Sequence, residues 1–557
     1  MQIKTQRKSA MAIALLLLVS MLVGACTTTD SPSVGSSTPP AAQAAATPAA
    51  TSGTQIAQAG ETSDGQADAF TYPMEPVTLT INTDPVDMST VPEWAQEHYF
   101  WTELQNRTGV TLEHIGGASN PMAASEQFIL LLASMDYPDI LQANWLNFPG
   151  GPTTAINEGY IIPFDGYEEH YPNFLLALEK EPKIRSDIST DDGQLYCFPY
   201  IAEIGGMNYT GMVVRKDWLD QVGMEVPVTM SELYNALVAF KNEIGAPAPL
   251  TFEYRWLFLE YAASTLSSPY EVCYPYFVMD EQVKYGPLEP AYKDFLMEMN
   301  RWYAEGLIDR DMPSINKASV EAKLSSGDSG MAIIQAGNLL NILLATADDA
   351  SFEINAVPTP VLNAGDDRNF GQLNNSYSGA FPFAISSQCK EIEKAFRFCD
   401  YSWGDEGQML NAYGTEGVSY ELEGDKVVAG GYMLDNPDGM DARAVRSLFG
   451  RVSNFPYRGL DHDFAYPDAL MEIKVVWAQN NMEKLILPPI THTSTEATYI
   501  TSKANDLDTY CREMVVKFII GTENFANYDN FLSTLESYGA SQVLEFKQIA
   551  YERYLTR

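Results

Sequence analysis

Pro76-Val77-Thr78-Leu79-Thr80-Ile81 opens the folded part of the chain, alternating apolar and polar residues as a half-buried strand does. Downstream, 92–107 reads as a helix with Trp94, Trp101 and Leu104 on one face, and Gly109 stands where that helix stops. Residues 110–115 read as a second strand. Residues 125–133 read as a helix with Phe128, Leu131 and Leu132 inward, and Asp139-Ile140-Leu141 as a third short strand. Strand, helix, strand, helix, strand at this spacing predicts an α/β fold: a mostly parallel sheet covered by helices.

Before that block, residues 27–70 are mostly Ser, Thr, Ala, Pro, Gly and Gln, with Asp30, Glu61, Asp64 and Asp68 and neither Lys nor Arg. So little apolar surface does not offset the entropy of ordering, and 26–70 is expected to be a flexible tether. The start of the chain has a basic patch (Lys4, Arg7, Lys8), an apolar run over 10–23, and then Leu22-Val23-Gly24-Ala25-Cys26. Small residues before a cysteine at the end of such a leader resemble a bacterial lipobox. The resemblance implies a signal peptide over 1–25 and a lipid anchor on Cys26, holding the mature protein at the extracellular face of the cytoplasmic membrane.

Cleavage before Cys26 leaves roughly 530 residues, enough for two or more domains. Hydrophobic residues make up 46% of the chain, with 31 Tyr, 25 Phe and 8 Trp, so a large core is available. The formal charge of −39 repels nucleic-acid phosphates and anionic ligands, so no nucleic-acid partner is expected. Once Cys26 takes lipid, Cys197, Cys273, Cys389, Cys399 and Cys511 remain; they are too scattered for a disulfide scaffold and read as buried thiols.

The rest of the chain continues the alternation. Strands are expected at 208–215, 331–334 and 381–386. Helices are expected from Lys216, from Thr229 to 243 with a Thr229/Glu232 capping box, and at 291–305, 316–324, 390–403, 475–487, 507–520, 524–538 and 541–554. Catalytic signatures are missing: there is no GxGxxG, GKS/T, GxSxG or HExxH, and none of the five histidines has metal-ligand spacing. His492 is not read as catalytic. Asp84, Asp87, Asp191 and Asp192 are the candidates for a calcium ion, the one cofactor considered, although none forms an EF-hand loop. No enzymatic activity is expected, and capture rather than turnover is the reading.

Several stretches match a known pattern in order: Trp101-Thr102-Glu103-Leu104-Gln105-Asn106-Arg107-Thr108-Gly109-Val110, Tyr137-Pro138-Asp139-Ile140, Asp192-Gly193-Gln194-Leu195-Tyr196, Arg215-Lys216-Asp217-Trp218-Leu219, Trp302-Tyr303-Ala304-Glu305-Gly306-Leu307-Ile308 and Gln548-Ile549-Ala550-Tyr551-Glu552-Arg553-Tyr554. Together they resemble the extracellular solute-binding lipoproteins of ABC importers, in particular the large Gram-positive group related to family 1 carbohydrate-binding proteins. The resemblance implies a two-lobe, class II periplasmic-binding-protein-like fold with hinge strands between the lobes. It implies lobe 1 at 71–200 and 378–490, lobe 2 at 201–377, and lobe-2 C-terminal helices at 491–557. It also implies a monomer that closes over a neutral oligosaccharide and docks on an ABC transporter permease. A peptide or another small solute is the alternative ligand, and an exported glycoside hydrolase the alternative activity.

Aromatic faces and hydroxyl-bonding polar groups near the lobe boundaries are the expected ligand contacts. Asn144 and Trp145 follow the third strand, where open α/β sheets bind ligands. Tyr200, Glu203, Asn208 and Tyr209 surround the first crossing, and Asn375 and Tyr377 the second. Arg255 and Trp256 lie in lobe 2, and Trp477 and Gln479 in a late helix. Trp101, Trp218 and Trp302 read as core.

Overall fold

A computed structural model of the chain describes residues 54–55, 70–83, 88–115, 121–202, 210–258, 265–371, 377–424, 426–440, 442–450, 458–459 and 468–557. The leader, Cys26, Asp84, Asp87, Glu203, Asn208, Tyr209 and Asn375 lie outside them. The strands are β1 Thr54–Gln55, β2 Val77–Ile81, β3 Val110–His114, β4 Ile140–Gln142, β5 Phe198–Ala202, β6 Thr210–Arg215, β7 Leu250–Thr251, β8 Tyr276–Met279 and β9 Gln282–Tyr285. They continue with β10 Met331–Gln335, β11 Ile354–Val357, β12 Tyr377–Ile385, β13 Tyr420–Glu423, β14 Lys426–Ala429 and β15 Arg458–Gly459.

Lobe 1 is built on a six-stranded sheet in the order β15-β5-β12-β4-β2-β3. The expected parallel unit forms: β2 pairs with β3 from Val77 opposite Val110 to Ile81 opposite His114, and with β4 at Ile81 opposite Ile140. Leu79 and Ile81 are fully buried, while Thr80 donates its backbone N–H and its hydroxyl to Asp139 at 2.9 and 2.8 Å. The alternation of that strand is thus a division between core contact and polar anchoring. The helix expected over 92–107 is split. Glu93–Ala95 forms a single 3-10 turn, and the backbone is reset to extended at Tyr99 before the α-helix Phe100–Thr108 begins. Gly109 ends it at φ 78°, pressed so close to Met74 that a Cβ would lie 2.4 Å from the Met74 carbonyl oxygen.

Strand β12 runs antiparallel between β5 and β4, and its register shifts between Ser378 and Phe383. Pro382, which has no N–H to donate, sits in that irregular stretch, as proline in a sheet interior does. Helices Pro172–Lys180 and Ile392–Tyr401 cover one side of the sheet, packing Phe164, Phe174, Phe198 and Phe396 together. A small sheet β1-β14-β13 is appended to lobe 1, so Thr54 and Gln55, expected within a flexible tether, pair with Val427 and Lys426.

Lobe 2 is built on β11-β6-β10-β7. Every residue of β6 is buried, so the strand is covered on both faces. Met212 and Val214 join a large core with Trp218, Phe240 and Trp302; Val213 joins a second with Leu339, Leu470 and Trp477. The C-terminal helix Ser494–Ile520 packs Leu507, Cys511 and Phe518 on the first core, beside the helix Pro290–Ala304. The five cysteines after Cys26 are buried.

Three expectations change. The late helix spans Asp468–Trp477 rather than 475–487. Asn480 bonds back to the Trp477 carbonyl and forward to the Met482 N–H, so its side chain competes with helix propagation. The helix expected at 507–520 begins at Ser494, because Thr493 and Glu496 form a complete capping box. Leu470, Ile473 and Trp477, which the expected boundary near 490 assigns to lobe 1, pack in a core with Val213, Ala332 and Ile334 of β6 and β10.

The same packing yields two predictions. Trp145 is fully buried, its ring 5.5 Å from Phe128 and 6.1 Å from Phe148. Trp145→Ala is therefore expected to destabilise lobe 1 by about 3–5 kcal/mol, read as a lower urea midpoint; an unchanged midpoint would contradict this burial. Gly211 lies against the Trp477 indole, where a Cβ would be 2.4 Å from ring atoms. Gly211→Ala is expected to cost about 1–3 kcal/mol and to change tryptophan fluorescence.

Candidate ligand site between the lobes

The strand directions define, in each lobe, the sheet edge at which the chain changes lobe. In lobe 1, β2, β3, β4, β5 and β15 run one way and β12 the other. The C-terminal ends of the five and the N-terminal end of β12 therefore share one edge. In lobe 2, β10 and β11 run against β6, and β7 runs with β10. The start of β6 and the ends of β7, β10 and β11 share the corresponding edge. The chain passes from Ala202 at the first edge to Thr210 at the second, a span of at most roughly 28 Å. It returns between Gly371 and Tyr377, and passes over again between Gly459 and Asp468. Each change of lobe thus joins one edge to the other lobe.

Lobe 1 presents amides and hydroxyls at its edge. Asn82 Nδ2 donates to the Gln142 carbonyl at 2.9 Å, and the Gln142 N–H donates to Asn82 Oδ1 at 2.6 Å. Thr83 Oγ1 lies 2.5 Å from His114 Nδ1, whose ring meets Trp101 edge-on. Burial lowers the His114 pKa from its ordinary value, favouring the neutral ring. Asn144 accepts from the Leu146 N–H at 3.2 Å and caps the turn Trp145–Asn147. That turn directs Trp145 into the core, leaving its ring no open face. Of the expected pair, Asn144 stands at the edge and Trp145 beneath it.

At the crossings, Tyr200 is half-buried on β5 opposite Ser378, and Tyr377 on β12 lies opposite Ile201. Arg458 lies opposite Ile201 on the other side of β5. No periodicity or motif marks Arg458; only the pairing brings it to the edge. Glu203, Asn208, Tyr209 and Asn375 fall outside the described residues.

In lobe 2 the segment after β7 carries Glu253, Tyr254, Arg255 and Trp256. Arg255 bonds Glu253 at 3.0 Å and lies 4.3 Å above the Trp256 ring. Trp256 is 4% exposed, whereas Tyr254 and the Arg255 side chain are exposed. The polar side chain, not the indole, is what this segment offers. Trp477 is buried, its Nε1 donating to the Met212 carbonyl at 2.9 Å. Gln479 is exposed, and the adjacent Asn480 abuts Gly371 at the start of the second crossing.

Among the described residues, no group of three or more His, Cys, Asp or Glu is arranged to hold a metal. Asp191, expected as a calcium candidate, takes hydrogen bonds from Thr491, Arg553 and Arg557, so two guanidinium groups already supply its positive partners. Asp192 accepts from the Thr190 hydroxyl at 2.6 Å. Burial, with Lys547 nearby, holds His492 down to about 4, so it is uncharged at neutral pH.

Residues 82–409 match the family described as bacterial extracellular solute-binding protein. The fructooligosaccharide ABC transporter substrate-binding protein FusA of Streptococcus pneumoniae is 23% identical over 533 residues, covering 88% of this chain and 93% of that protein. The polygalacturonan/rhamnogalacturonan-binding protein YtcQ of Bacillus subtilis is 23% identical, covering 72% and 78%. Among solved structures, an extracellular solute-binding protein from Bifidobacterium longum subsp. infantis superposes with a TM-score of 0.70 at 16% identity, over 87% of this chain and 99% of that one. FusA bound to kestose superposes with a TM-score of 0.66 at 19% identity, over 86% and 100%. These structures share the bilobed architecture of two sheet-rich lobes. The chain belongs to the bacterial extracellular solute-binding protein family, the binding components of ABC importers that work outside the cytoplasmic membrane.

Proposed function

We propose that this protein captures a neutral oligosaccharide between its two lobes and delivers it to the permease of an ABC importer. The observation that carries the reading is that the chain leaves and re-enters lobe 1 at one edge of its sheet, the ends of β5 and β15 and the start of β12. Two bodies connected in this way close on a ligand by hinge motion. The sugar assignment draws on the relatives: FusA spans nearly the whole chain and is named for fructooligosaccharides. The edge groups suit hydroxyl recognition, since Asn82, Gln142, Asn144 and Arg255 combine donors and acceptors. Tyr200, Tyr254 and Tyr377 are proposed as the aromatic contacts in place of the buried Trp145, Trp256 and Trp477. Glu203, Asn208, Tyr209, Asn375 and Gln479 remain proposed contacts through their positions beside the crossings.

An acidic polysaccharide is the second reading, since YtcQ is named for polygalacturonan and a structural neighbour for alginate. The net charge of −39 weighs against it, as does the pairing of Arg255 with Glu253. Cys26 is proposed as the lipid anchor, and a monomer as the working form.

A thermal-shift screen of the chain carrying Cys26→Ser tests this directly. Kestose or a related neutral oligosaccharide at a hundredfold excess over Kd is expected to stabilise the protein by about 2.7 kcal/mol. Stabilisation by oligogalacturonides alone would favour the acidic reading, and stabilisation by peptides alone would overturn the sugar assignment. Arg255→Ala is expected to weaken binding of the responding sugar about tenfold with little change in the ligand-free melting temperature, measured by calorimetry.

A further inference from the structure

The last of the stretches that mark the family meets the turn just before another. Asp191 precedes the Asp192–Tyr196 stretch and belongs to lobe 1, where Ile184, Ile188 and Leu195 around it are core residues. Arg553 lies in the last turn of the helix Ala540–Tyr554, whose Ala540 and Val543 are buried in the lobe-2 core. Arg553 Nε donates to Asp191 Oδ2 at 2.9 Å, and Arg557 Nη2 donates to Asp191 Oδ1 at 2.6 Å. The Thr491 hydroxyl donates to the same carboxylate at 2.6 Å, and the Tyr554 hydroxyl to Asp187 at 2.5 Å. Although it is a charged side chain, that of Arg557 is only 1% exposed.

Burial raises the Asp191 pKa, but hydrogen bonds from Thr491 and Arg557 outweigh it and hold the carboxyl below its ordinary value. Arg553 also bonds both oxygens of Glu496, fixing the C-terminal helix to the start of the helix Ser494–Ile520. The contact extends to Ser494, whose hydroxyl lies 3.2 Å from Thr154 Oγ1 in the helix that follows β4. The changes of lobe use β5, β12 and β15, whereas Thr154 follows β4, so this contact is not made by the strands that carry the crossings.

We propose that this network is a clasp between the lobes: it forms when they come together, breaks when they part, and so sets how much of the ligand-free protein is closed. Two lobes joined through neighbouring strands rock about those strands, and a contact displaced from them is stretched by the motion. Charge-assisted hydrogen bonds suit this use, because they are strong when aligned and are replaced by water when separated. Ligand affinity then carries the closed fraction as a factor. The proposal rests on the two-lobe capture reading, but not on which solute is captured.

The test is X-ray scattering of the ligand-free chain carrying Cys26→Ser, alone and with Asp191→Asn or Arg557→Ala. Both substitutions are expected to increase the radius of gyration, and to weaken binding of kestose about three- to tenfold. The double variant is expected to match the singles rather than their sum. If either protein fails to fold, Thr491→Val removes one hydrogen bond and leaves both charges in place, and a smaller increase in radius is expected. An unchanged radius with a lower melting temperature would overturn the proposal and make the network a fixed brace. Because scattering needs no ligand, a failure to bind kestose alone counts against the sugar assignment and not against the clasp.

Discussion

Strand β12 runs against its neighbours, and the architecture of the binding region depends on that reversal. A chain that leaves lobe 1 at the end of β5 and comes back through β12 re-enters the same sheet at the same edge, because the two strands are antiparallel partners. The hydrogen bonds of Tyr377 and Ser378 with Ile201 and Tyr200 tie the exit and the return together. β15 then pairs parallel with β5 and sends the chain out once more from that edge. Had β12 been parallel, the return would have entered at the opposite end of the sheet.

Lobe 2 meets a complementary requirement. Its central strand is buried on both faces, so it needs two cores, and the later parts of the chain supply much of both. The helix Asp468–Trp477 closes one side through Leu470 and Trp477, and the helix Ser494–Ile520 closes the other through Leu507, Cys511 and Phe518. Gly211 lets the Trp477 indole lie directly on the strand. This explains why the tryptophans are poor guides to the cleft. An indole is the largest apolar side chain available, and Trp145, Trp256 and Trp477 are spent on filling cores.

Much of the fold was legible in the chain because its signals are local. Alternation identified β2, a positive-φ glycine position identified the end of the helix Phe100–Thr108, and Thr229 with Glu232 identified a capped helix start. The same capping signature stands at Thr493 and Glu496, and reading it would have extended the Ser494–Ile520 helix to its true start. The candidate site was less legible. Asn144 was proposed from its position after a strand and Arg255 only from its place in lobe 2, whereas Asn82, Gln142 and Arg458 come to the edge through pairing with distant strands.

The sequence by itself determined the alternating elements, the absence of a catalytic signature, the acidic surface and the family pattern, since each depends on neighbouring residues or on composition. Only the tertiary structure decided which tryptophans are covered, and that Asp191 faces two arginines more than 350 positions away in the chain. Those outcomes depend on which surfaces pack together and on whether a charge finds its partner. Both are settled by contacts between segments that the order of residues brings near only after folding.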